Sequence, residues 1–207
     1  VQKNTVNNIG FFIYTNVEDL DLAGPLQVFT SANEVLGQSC YNTFTIGTNS
    51  NVIKTVSGLS IVPDYTFENH PEMDMLIVPG GFGSRKAIEL PENISWIQKQ
   101  HKQVKLFISI CSGARFLAKA GLLNDKKFCT HHEVYEHIQE LEPSSIPFPD
   151  KRFIQSDDKT YTSAGITAGM DLSFYVLQLL QGIATAKKAA QYMEYETDIE
   201  KIVRTNS

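Results

Sequence analysis

Three runs, NIGFFIYTN at 8–16, MDMLIVPGGFG at 73–83 and VKLFISI at 104–110, carry apolar cores almost without interruption. A strand with one face in water alternates apolar and polar residues, whereas one apolar throughout is covered on both faces. Each run feeds a helical pattern. The first leads into AGPLQVFTSANEVLG, where Pro25 suits the first helical position and Gly37 the stop. The second leads into SRKAIELPENISWIQKQHKQ, broken near Pro91, and the third into SGARFLAKAGLL. Between and beyond them, YNTFTIGT reads as a strand and VIKTVSGLSIVPDYTF as two short strands around Ser57-Gly58. KKFCTH reads as a strand before the helix HEVYEHIQELEP, and FIQSDDKTYTSAG as a hairpin around Asp157-Asp158. Residues 166–196 read as one long helix, followed by a polar tail, IEKIVRTNS. Strands alternating with helices predict an α/β three-layer sandwich, a mostly parallel sheet flanked by helices. No linker or repeat divides the chain, so 1–207 is predicted to be a single domain.

Composition narrows the function. Net charge is −5 and no basic block occurs, which argues against a nucleic-acid partner. The longest apolar runs are far short of a membrane span. The N-terminus lacks the layout of a signal peptide, and a start at Val1 leaves room for upstream residues. The three cysteines are far apart with no CxxC, which argues against a disulfide framework or a structural zinc site and for a reducing cytoplasm.

In parallel sheets ligands bind beyond the carboxyl ends of the strands. Four such ends carry chemistry-bearing residues: Glu18 to Asp21, Pro79 to Gly83, Cys111 to Gly113, and Thr130 to His132. Cys111 stands at the strand-to-helix corner, followed by small residues that permit a tight turn. Unpaired N–H groups at a helix start favour the thiolate, the reactive form. The other reading is a buried apolar cysteine. Gly80 and Gly81 could turn backbone N–H groups toward an oxyanion, or merely form a turn; a dinucleotide fingerprint fails because Lys86 stands where its last glycine should be. Asp21, between Leu20 and Leu22, is either a partly buried acid with a raised pKa or a helix cap. His131, His132 and His137 miss the i, i+4 spacing of a helical zinc pair.

LDLAGPLQVF, LIVPGGFG, SICSGARFLAKAGLL, CTHH and SAGITAGMD, in that order, resemble the ThiJ/PfpI superfamily and its isonitrile hydratase branch. The resemblance implies a flavodoxin-like, class I glutamine amidotransferase-like fold and a cytoplasmic homodimer with no cofactor. It places Cys111 as nucleophile and Asp21 as its acid. Gly81 and Ser112 fall on oxyanion donors, His131 on the pocket rim, and Ile166 and Thr167, with Gly80, at the substrate. Ser112 stands where peptidase-like members carry histidine, and no late His-x-Glu pair of the amidotransferases is present. The implied activity is addition of water to an isocyanide, giving an N-substituted formamide through a thioimidate on Cys111. The alternatives are a glyoxalase- or deglycase-like enzyme acting on small α-dicarbonyls, a peptidase or amidase, and a cysteine redox sensor. Related domains also head AraC-type regulators, whose helix-turn-helix part is not expected within 1–207.

Overall fold

In a computed structural model, residues 7–206 are described. Residues 1–6, where the N-terminus was read for a leader, lie outside them, as does Ser207. The strands are β1 (Asn8–Phe12), β2 (Asn42–Gly47), β3 (Ile53–Lys54), β4 (Ser60–Ile61), β5 (Tyr65–Thr66) and β6 (Met75–Val78). They continue with β7 (Leu106–Ile110), β8 (Lys127–Phe128), β9 (Ile146–Pro147), β10 (Phe153–Gln155) and β11 (Thr160–Ser163). The helices are α1 (Asp19–Leu36), α2 (Ser84–Ala87), α3 (Pro91–Gln103), α4 (Ala114–Lys119), α5 (Tyr135–Leu141), α6 (Ala168–Gln181), α7 (Ile183–Tyr192) and α8 (Ile199–Asn206).

Seven strands form one sheet in the order β10-β11-β7-β6-β1-β2-β5. Every pairing in it is parallel except β10 with β11. All of β6 is buried, as are the last four residues of β1 and of β7, which explains their unbroken apolar sequence. Helices α1, α6, α7 and α8 pack on one another in one layer, and α2, α3, α4 and α5 form a second group around α4. The expected mostly parallel, helix-covered sheet is therefore present. From β1 the chain steps to β2 on one side and later to β6 on the other. The strand order thus reverses between β1 and β6, where a parallel sheet opens a crevice at its carboxyl edge.

Three expectations change. Helix α1 begins at Asp19, so Pro25 lies inside it. Proline has no N–H for the residue 21 carbonyl, yet the apolar face around it (Leu22, Val28, Phe29) is buried and holds the helix together. The long C-terminal helix is two helices, broken at Gly182 (φ 86°). The polar tail is helix α8, which docks on α6 and α7 through buried Ile199 and Ile202.

The corner after β7 depends on a close approach of backbones. A Cβ on Gly113 would stand 2.2 Å from the Val78 carbonyl oxygen and 3.0 Å from that of Pro79. Neither atom can swing aside as a side-chain tip would. Gly113→Ala is expected to lose about 1–3 kcal/mol of stability, read as a lower urea midpoint at unchanged slope.

Candidate active site

Strands β1, β6 and β7 are neighbours, so the segments leaving their carboxyl ends meet over the crevice. Cys111 leaves β7 with φ 54°, a left-handed conformation that a non-glycine residue holds only under constraint. Two hydrogen bonds supply the constraint: the Cys111 N–H donates to the Ala164 carbonyl (3.2 Å), and Thr130 Oγ1 donates to the Cys111 carbonyl (2.7 Å). The thiol is 7% exposed and opens into a cavity of about 380 Å³. Glu18, Gly81, Ser112, His131 and Ile166 line the same cavity, so residues from all four strand ends, read separately in the sequence, gather here.

Asp21 lies behind the cysteine and is fully buried. It does not cap α1, whose cap position is Glu18. Its Oδ2 accepts the Gly80 N–H at 2.9 Å, while its Oδ1 has no partner among the fixed polar atoms. The Cys111 sulfur is the group beside it that can engage the carboxyl. Burial pushes Asp21 up to about 7, against the pull of the Gly80 N–H. Burial, then the negative charge on Asp21, push Cys111 up to about 12, although the Ser112 and Ile166 N–H groups donate toward the sulfur. The expected lowering of the thiol pKa is therefore not met. A single 3₁₀ turn and a six-residue helix follow the corner, and their dipole is outweighed by desolvation and by a like charge. Between these two values the pair holds one proton, on the sulfur, with a carboxylate positioned to take it.

Other amides near the sulfur are already engaged. The Gly81 N–H, expected to face an oxyanion, donates to Ser112 Oγ (2.8 Å). At φ 129°, and with a Cβ there falling 2.3 Å from the Asn16 carbonyl oxygen, position 81 admits only glycine. Gly80 sits beneath the cavity with its amide on Asp21. Ile166, also left-handed at φ 43°, reaches the cavity. Thr167 instead lines the adjoining groove and accepts a hydrogen bond from Arg152 (3.2 Å). His131 packs against Gly165, and burial, with His132 beside it, holds its pKa below the usual value. Asp19 belongs to the scaffold, since its carboxylate binds Thr55 Oγ1 and the Ser57 N–H and hydroxyl.

Arg115 is a cavity residue that the sequence reading passed over. It is 3% exposed, yet it lines the cavity with Arg85 and Phe82. The available signal was a charged residue within an apolar run, four positions after Cys111. Its Nη1 donates to Ser84 Oγ (2.8 Å), and Ser84 Oγ donates to the Gly81 carbonyl (2.7 Å). Its Nε donates to His137 Nδ1 (2.9 Å), which keeps that ring neutral with its proton on Nε2.

Residues 7–179 match the DJ-1/PfpI family. Over 187 residues the chain is 33% identical to the isonitrile hydratase of Pseudomonas putida, covering 90% of this chain and 78% of that one. It is 28% identical to the HTH-type transcriptional regulator GbdR of Pseudomonas aeruginosa, covering 94% of this chain and 52% of the regulator. Among solved structures, a ThiJ/PfpI family protein from Pseudomonas syringae superposes with a TM-score of 0.83 at 27% identity, over 93% of this chain and 76% of that one.

Proposed function

The chain belongs to the DJ-1/PfpI family, and from that premise we propose that it hydrates an isocyanide to an N-substituted formamide, with Cys111 as nucleophile and Asp21 as proton carrier. The observation that carries the reading is the fully buried Asp21 carboxyl, one oxygen held by the Gly80 N–H and the other unpartnered, beside the Cys111 sulfur that opens into a small cavity. Asp21 takes the thiol proton as sulfur adds to the terminal carbon of R–N≡C. The Ser112 and Ile166 N–H groups steady the charge on sulfur meanwhile. Asp21 then returns the proton to that carbon, giving R–N=CH–S–Cys111. Water adds across the C=N bond, its hydrogen to nitrogen and its hydroxyl to carbon. Collapse to R–NH–CHO breaks the C–S bond, and the proton left over restores the thiol. No metal or organic cofactor enters this balance.

The engaged Gly81 amide supports this chemistry over peptide or amide hydrolysis. Acyl transfer builds an oxyanion that needs free N–H donors, whereas addition to an isocyanide places its electron pair on a carbon that is protonated at once. The 33% identity to a hydratase supports the same reading. Incubation with benzyl isocyanide tests it: N-benzylformamide is expected by proton NMR, and acid quench should give protein one isocyanide heavier, with the mass on Cys111. Absence of both the formamide and the adduct would overturn the reading.

A further inference from the structure

A buried guanidinium without a counter-ion is costly, since removing a charge from water without a partner costs several kcal/mol. Arg115 is such a group. Two of its nitrogens are held by neutral acceptors, Ser84 Oγ and His137 Nδ1. Among the described residues no carboxylate lies within ion-pair distance of Arg115 or of Arg85. The second guanidinium, Arg85, sits close enough to bias the first, and both border the cavity that exposes Cys111. The two carboxylates on that cavity act elsewhere. Glu133 approaches His131 and His132 at 3.9 Å, and the field of Glu18 falls on Asp21 and His131. One wall of the cavity is therefore cationic with no carboxylate paired to it, while Glu133 lies at the histidines and Glu18 near Asp21.

We propose that this wall is the seat of a substrate carboxylate: the pocket takes a small electrophile that carries a carboxylate a short distance from its reacting carbon. This rests on the reading of Cys111 as the nucleophile and adds the substrate class. The sulfur and both guanidiniums border one cavity of about 380 Å³, so a molecule that reaches from the sulfur to the cationic wall is small. A planar fork with donors to spare matches a carboxylate in two-point contact. An isocyanide of this class would be a short isocyanoalkanoate, isocyanoacetate being the smallest.

Iodoacetate and iodoacetamide test the seat without any isocyanide turnover, because they differ only in the carboxylate. The ratio of their alkylation rates at Cys111, followed by peptide mass spectrometry at pH 8, is compared with the same ratio for glutathione. The ratio at Cys111 is expected to be at least tenfold higher, with the iodoacetate rate saturating. Arg115→Gln should bring it down to the glutathione value. Arg85→Gln, at an exposed position where folding is not at risk, should lower it about threefold. A purely structural Arg115 would slow both reagents together and leave the ratio unmoved, which overturns the proposal, as does a wild-type ratio equal to that of glutathione. If Cys111 resists both reagents, the nucleophile reading fails and the anion seat falls with it. Labelling by both reagents at the glutathione ratio, in contrast, removes the seat alone.

Discussion

Cys111→Ala should bring isocyanide hydration down to the uncatalysed rate, a loss of at least about 10³-fold in kcat. Cys111 is the one thiol among the described residues that lines the cavity. Ser112 Oγ is engaged with the Gly81 N–H, and Cys129, fully buried, donates to the Phe148 carbonyl. Formamide release by NMR reads the activity, and the mass adduct after acid quench should vanish with it. The substitution also isolates the strain at the corner. Alanine keeps a Cβ at φ 54°, glycine does not, so Cys111→Gly should be equally inactive but about 1 kcal/mol more stable than Cys111→Ala. Residual turnover in either variant, above the rate in buffer, would show that another group forms the covalent bond.

The corner itself was open to sequence reading because its causes are local. Small residues after a buried strand, a thiol at the turn and a glycine pair on the neighbouring strand end each leave a mark in the chain. The register of three adjacent parallel strands then brings those marks together. The sign of the thiol pKa was not open to it. The dipole of the turn is encoded next to Cys111, but it is outweighed by desolvation, set by the packing of distant segments, and by the Asp21 charge, from an element ninety residues earlier. Arg115 was missed for a related reason: within an apolar helix a single arginine reads as a surface residue until the packing of Ser84 and His137 around it is known. Pro25 misplaced a helix start because the preceding turn, Asp19 to Leu22, is held by Thr55 and Ser57 and by burial of Leu22, none of which lies near it in sequence.

Asp21→Asn separates the acid from the scaffold. Asparagine still offers an oxygen to the Gly80 N–H, so the corner should keep its shape; it cannot carry a proton, and loss of such a carrier costs about 10²–10⁴-fold in rate. The pH dependence should change with it. In the wild-type protein the carboxylate must be free to take the thiol proton, so kcat/KM should rise as pH passes through about 7 and level off above it. Without the carboxylate only the thiolate already present can attack, and the rate should climb with pH without a plateau near neutrality. Stability should move the other way. A carboxyl raised from 3.8 to about 7 by folding favours the native state only while it is protonated. That contribution is complete below pH 3.8 and is lost as pH rises through 7, by about 4 kcal/mol at most. Asp21→Asn, neutral throughout, should therefore melt higher than wild type at pH 8, with the difference shrinking toward pH 4. A variant that keeps full activity would remove the proton-carrying step. One that is slow but no more stable at pH 8 would mean that the buried carboxyl is not held near 7.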